Sequence, residues 1–410
     1  MIETVGVLAP EPIRERMAGM GIRALELARA LSAEFAVRLI VPNDASEARE
    51  LADGIAVVRA ENGSLKTAAA GVQAGVVSGH AASGWFHQMP DVPVAADLYD
   101  PFPIENLHYA RHLGPETARH DHETLGLALE RADFFLCASP EQRLFYSGAL
   151  YACGRIGAEN FPEDSALTRL IAVVPFGVPA AAASGDRAAG RTAVGASGEG
   201  PVVLFGGVYD WYDPELLLSA WPEIQRGHPD ARLLFFENPN PDTTPQRVFA
   251  KAREQARRID PAGRSILFSG WLPYASRADL YAAADLIVSI STEGLETELA
   301  YRTRLLDAAW GGLPSVTVSG GTLARELVAA GAAFESPRSA DALAAAVSAL
   351  LSDGARRGRA GEAARRFASE RSWKTVAQPL LAWCREARVD PNRLESPRAA
   401  KGSLLRRLFQ

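Results

Sequence analysis

Cysteine is almost missing from this sequence. Cys137, Cys153 and Cys384 are three among 410 residues, too few and too irregularly spaced for a disulfide framework or a thiolate metal site, and they fit a reducing compartment. An excess of basic residues is missing too. Lys and Arg number 43 against 49 Asp and Glu, a net charge of −6, which leaves nucleic-acid binding without the basic face it needs. Long apolar runs are also lacking. The longest, around VRLIVP and LIAVVPFGVP, fall far short of the ~20 residues that span a bilayer. The segment MIETVGVLAP has no basic region followed by an apolar one, so no signal peptide is expected and the chain is read as soluble and cytoplasmic.

What is present is a globular composition, 48% hydrophobic and 22% charged, in a chain long enough for two domains. Short strand-like runs alternate with amphipathic helical windows: TVGVLAP, ALELARALSAEF and AVRLIVP, then VPVAADLY and DFFLCAS. This is the pattern of α/β domains with parallel sheets and helices on both faces. After IAVVPFGVP the run AAAASGDRAAGRTAVGASGEG has no apolar period and reads as a linker or flexible loop. Alternation restarts at PVVLFGG and continues through ARLLFFE, SILFSGW, ADLIVSIS and LPSVTVS. The division expected is a first lobe at 1–178, a second at 179–374, a crossing helix at about 375–395 and a basic tail at 396–410. That tail, ending LLRRLFQ, either lies on an anionic membrane surface or is a solvated end.

Ligands of open α/β sheets bind beyond the carboxyl ends of strands, which directs attention to five loops. After the first strand, Gly19 and Gly21 open a helix where backbone can approach an anion, and Arg23 adds charge; a plain glycine turn explains the same letters. Asp97 and Asp100 follow VPVAA, with Glu105 and His108 behind, and suit acceptor hydroxyls or base chemistry, although Asp-Pro also simply makes turns. Gly206 and Gly207 end a strand before a helix that Asp213 can cap, an arrangement suited to a diphosphate; Trp211 stands in that loop. Trp271, Leu272 and Tyr274 form either a flat base pocket or core. In the densest loop Glu293, Glu296 and Glu298 precede Arg302, Arg304 and Asp307. Arginine forks suit phosphate and carboxylates suit sugar hydroxyls, while a solvated salt-bridge network gives the same letters.

The run EGLETELAYRTRLLDAAWGGLPSV resembles the donor-site motif of the family-4 retaining glycosyltransferases, particularly a branch of bacterial surface-polysaccharide and lipopolysaccharide assembly. GGVYDWYDP, ENPNPD and GWLPYASRADLYAAADLIVS resemble further segments of that branch in the same order, and MAGMGIRALELARAL, DLYDP and AVVPFGVP extend the likeness over residues 1–375. The resemblance implies a GT-B fold, two Rossmann-like α/β/α lobes facing across a cleft, with the acceptor on the first lobe and a nucleotide-sugar donor on the second. It implies retention of configuration, no metal and no cofactor beyond the co-substrate, and a saccharide or lipid-linked acceptor. Asp307 matches the family's ribose-binding acid, while Glu293 and Glu296 both remain open as the acid at the donor sugar. The Arg and Lys that the family carries after the first strand of the second lobe are missing from GGVYDWYDP. The diphosphate charge therefore falls to Arg302 or Arg304, and spacing favours Arg302, with Arg304 paired to Asp307. The alternatives are a GT-B protein without transfer activity serving as a partner or scaffold, and a sugar-nucleotide epimerase.

Overall fold

The computed structural model describes residues 2–60, 64–238, 240 and 244–394. Seven strands, β1 (Thr4–Leu8), β2 (Ala36–Val41), β3 (Ala56–Arg59), β4 (Ala74–Ser78), β5 (Val94–Asp97), β6 (Phe134–Cys137) and β7 (Ile171–Val173), form one sheet in the order β3-β2-β1-β4-β5-β6-β7. Six more, β8 (Val202–Gly207), β9 (Arg232–Phe236), β10 (Ile266–Ser269), β11 (Leu286–Ile290), β12 (Ser315–Val318) and β13 (Ala333–Glu335), form a second in the order β10-β9-β8-β11-β12-β13. All these pairings are parallel. The apolar runs are near-continuous because both sheet faces are covered. Successive residues serve opposite faces: Phe134 and Leu136 point to one core, Phe135 and Cys137 to the other. In β9, Leu234 and Phe236 face the core shared by both lobes, and Leu233 and Phe235 one confined to the second.

Strand order reverses direction between β1 and β4 and between β8 and β11, so each lobe has a switch point at which strand-end loops part. Both open toward the other lobe.

The segment read as a flexible linker is more ordered than its composition suggests. It contains a helix at Arg187–Ala193, capped by Asp186, whose carboxylate accepts from Ala188 and Ala189 N–H. Gly190 makes this possible: a Cβ there would sit 2.1 Å from the carbonyl oxygen of Asp279, so only glycine lets the helix lie on its neighbour. Close helix packing requires small residues, so Ala and Gly here mark a helix contact where the composition suggests a linker or flexible loop.

The chain returns to the first lobe at a Val178–Ser372 bridge. Two short helices follow, Trp373–Val376 and Gln378–Arg385, rather than one long one. Pro379 starts the second and has no N–H with which to continue the first. Residues beyond Arg385 run non-helical through 394, with Asp390 paired to Arg155 at 2.7 Å. Trp383 stacks on Phe134 with ring centroids 5.6 Å apart, and Arg385 pairs with Glu34 at 2.7 Å. The tail at 396–410 lies outside the described residues. Among them, no helix is long and apolar enough to cross a membrane.

Candidate active site

Between the lobes lies a cleft of about 390 Å³. Its second-lobe wall begins where β8 ends. Gly206 has φ +88°, a conformation side chains disfavour. Gly207 is bare because Trp271 packs on it; a Cβ would sit 2.9 Å from the indole ring. The following loop is pinned over β11 by hydrogen bonds from Asp213 N to Ile290 O (3.0 Å) and Thr292 N to Trp211 O (3.0 Å). Asp213 then caps the next helix, accepting from Leu216 N–H at 3.1 Å. Tyr209 and Trp211 stack at 4.9 Å, and Trp211 meets the edge of Tyr109 from the first lobe at 5.8 Å.

The two arginines of the densest loop have partners other than those their spacing suggests. Arg302 is buried and donates through Nη1 and Nη2 to Oε1 and Oε2 of Glu296, at 2.7 and 2.6 Å, and through Nε to Ser291 Oγ at 3.2 Å. It is Glu296's counter-ion. Arg304 does not pair with Asp307. It donates to the carbonyls of Phe205 (3.0 Å) and Gly207 (2.6 Å) and lies 3.8 Å over the Tyr212 ring. Helical spacing allows the Arg304–Asp307 pair, but two carbonyls left free where β8 stops satisfy the guanidinium better. No described carboxylate forms an ion pair with Arg304, and burial pulls its pKa below the usual range, against the opposing pull of Tyr212.

Asp307 also lines the cleft, with no hydrogen bond or ion pair to its carboxylate among the described residues. Burial raises its pKa, with Arg277 opposing. Leu272 and Tyr274 complete this wall, and Trp271 and Tyr274 tie the lobes together. Trp271 Nε1 donates to Met17 O (3.0 Å) and Tyr274 Oη to Glu26 (2.9 Å). Glu293 lies outside the cleft lining, its largely exposed carboxylate 3.4 Å from Arg338.

On the first lobe, Gly19 and Asp100 line the cleft and three other expected residues do not. Arg23 and Asp97 are buried against each other, Nε to Oδ2 at 2.6 Å, and Arg23 also donates to the carbonyls of Val174 and Pro175. They join β5 to the end of β7 and are structural. The N–H of Gly21 is taken by Glu11 Oε1 at 2.5 Å. Asp100 hydrogen-bonds Glu105, and burial raises both carboxyl pKa values, Glu105 the more because Asp100 adds like charge. Glu11 is the acid that sequence reasoning missed. Burial raises its carboxyl to about 7, against hydrogen bonds from Gly21 and Asn240. Its signal was position alone, three residues beyond β1. Arg277, three residues beyond Tyr274 in the segment singled out after β10, also lines the cleft and was not among the expected residues. Within ENPNPD, Asn238 lines the cleft, whereas 239 and 241–243 lie outside the described residues. Among the described residues no His, Cys, Asp or Glu cluster could hold a metal ion.

Residues 200–353 match the family model described as glycosyl transferases group 1. A D-inositol 3-phosphate glycosyltransferase of Segniliparus rotundus is 32% identical over 192 residues, 43% of this chain. That match spans only 41% of the relative's length. Solved structures with a similar fold include Anabaena HepE in complex with UDP and glucose, at 17% identity and TM-score 0.66, covering 94% of this chain and all of that one. Sucrose-phosphate synthase from Thermosynechococcus elongatus aligns at 16% identity and TM-score 0.68, covering 94% and 98%. WaaG, a glycosyltransferase involved in lipopolysaccharide biosynthesis, aligns at 15% identity and TM-score 0.59, covering 94% and 99%.

Proposed function

We propose that this chain, of the GT-B family-4 type in its fold and its second-lobe sequence, is a retaining, metal-independent glycosyltransferase moving a hexose from a nucleotide sugar to a saccharide or lipid-linked acceptor. The observation that carries the reading is Arg304, a guanidinium anchored by two carbonyls at the Gly206–Gly207 turn, facing the cleft without a carboxylate partner. A half-buried cation without a counter-ion is costly to desolvate unless an anion arrives. The leaving nucleoside diphosphate is such an anion. As the bond from the sugar's anomeric carbon to phosphate oxygen breaks, the electron pair stays with the diphosphate, and Arg304 stabilises the growing charge. Asp307 accepts from the ribose hydroxyls, Trp211 packs on the sugar, and Asp100 with Glu105 faces the acceptor hydroxyl from the first lobe. Arg304 thus stands where the family's loop cations are missing. The UDP complex of HepE supports a nucleotide-sugar donor. The branch resemblance and the role of WaaG support surface-glycan synthesis, including lipopolysaccharide. Contact of the basic tail with the inner membrane rests on sequence alone.

The test is a panel of UDP-, GDP- and dTDP-sugars in excess EDTA, read by thermal shift and by release of nucleoside diphosphate. A donor at about 100 times its Kd should stabilise the fold by roughly 2.7 kcal/mol, and release should depend on an added acceptor and persist under chelation. A panel without binding overturns the reading; activity restored only by Mg²⁺ overturns its metal-free form. Product formed without acceptor would favour the epimerase.

A further inference from the structure

One cleft arginine has no role in the chemistry above. Arg277 opens the helix Arg277–Ala283, between β10 and β11. Its guanidinium carbon lies 3.8 Å from the centroid of the Tyr274 ring and 5.0 Å from that of Trp310. It donates no hydrogen bond to any described residue, and its Nε is buried without a partner. It forms no ion pair among the described residues, although Asp307 is close enough to feel its charge. A guanidinium lying over aromatic rings keeps its in-plane N–H groups for something else.

Position says what that is. Arg304 marks the diphosphate end, at the turn closing β8. Arg277 comes from the far side of β10, two strands away in the order β10-β9-β8. The helix Thr303–Trp310 sets the order along the wall: Arg304 is in its first turn, Asp307 one turn on, and Trp310 at its end lies 5.0 Å from the Arg277 guanidinium, so the sequence runs Arg304, Asp307, Arg277. With diphosphate at the first and ribose at the second, the nucleobase comes to the third, beside the apolar Trp271 and Leu272. An arginine edge offers donors only. Guanine presents two adjacent acceptors, O6 and N7, which a guanidinium engages as a fork. Adenine sets an amino donor beside N7, and uracil has a single carbonyl on the matching edge.

We propose that Arg277 reads the donor's base and selects guanine through O6 and N7, an inference resting on the glycosyltransferase reading above. Isothermal titration of the full chain with GDP, UDP, ADP and 7-deaza-GDP, which lacks N7, tests it. The wild type should bind GDP on the order of tenfold more tightly than UDP or ADP, and more tightly than 7-deaza-GDP. Arg277→Leu should bring GDP down to the level of UDP, leave UDP nearly unchanged, and erase the difference between GDP and its 7-deaza form. Arg277→Lys, which keeps the charge without the fork, should lose most of the preference. A wild type favouring UDP or indifferent to N7 overturns the proposal without needing any variant. Equal weakening of all four ligands by Arg277→Leu also overturns it, making Arg277 a diphosphate or packing residue. If the wild type binds no nucleoside diphosphate at all, the glycosyltransferase reading itself falls.

Discussion

Arg302 and Glu296 close a fork-to-fork ion pair in the floor between β11 and the next helix, with both N···O distances under 3 Å and both side chains buried. Each neutralises the other, so neither is free for the donor. Arg302→Met should strand a buried carboxylate and cost on the order of 3–5 kcal/mol. The double variant Glu296→Leu/Arg302→Met should recover much of that loss, because no charge is left uncompensated. Chemical denaturation of the three proteins reads this directly. A Glu296→Gln protein of wild-type stability that cannot turn over would instead return the pair to the chemistry.

Arg304 carries the opposite expectation. It is committed to two backbone carbonyls, and lysine keeps its charge but cannot span both. Arg304→Lys should lower kcat by about 10²–10³, the cost of losing one preorganised transition-state donor, with a smaller change in donor KM. Steady-state kinetics on the preferred nucleotide sugar decide it. Wild-type turnover in Arg304→Ala would place the diphosphate elsewhere.

The fold was legible because burial on both sheet faces writes parallel strands as apolar runs, and PVVLFGG or ADLIVSIS can hardly be anything else. Asp100, Gly206, Trp211, Trp271 and Asp307 were legible as cleft-lining residues because strand-end position and residue chemistry coincide. Partner choice was not. Spacing on one helix told which charges share a face, but Arg304 is held by carbonyls that become available only where β8 ends in the folded sheet. Arg23 and Asp97 look like ligand groups in the sequence and are each other's ligand across 74 residues. Glu11 was invisible because its raised pKa comes from burial between lobes, which no local window contains.

Asp307 should separate binding from stability. Its carboxylate lines the cleft without a protein partner, so Asp307→Ala removes no internal bond and should leave Tm unchanged or slightly raised. Losing a charge-assisted bond to ribose is worth about 1.5–3 kcal/mol, a rise in donor KM of roughly 10- to 150-fold. Unchanged donor affinity in the folded variant would remove Asp307 from the site.

Glu11 makes stability depend on pH in a direction unusual for a carboxylate. Burial raises its folded-state pKa to about 7, Asp100 pushes the same way, and Gly21 N–H, Arg14 and Asn240 only partly oppose. The folded protein therefore binds more protons than the unfolded chain between the ordinary carboxylate range and about 7, so stability falls as pH rises through that window. Asp100 and Glu105 act in the same sense, and comparison with a variant isolates Glu11. Glu11→Gln keeps an acceptor for Gly21 N–H and cannot ionise. Its Tm should match the wild type near pH 4 and exceed it near pH 8, the gap opening between the ordinary carboxylate range and about 7, where the unfolded chain has lost the Glu11 proton and the folded protein still holds it. Parallel Tm curves for the two proteins from acid to pH 8 would mean that Glu11 ionises normally and that the cleft does not hold it dry.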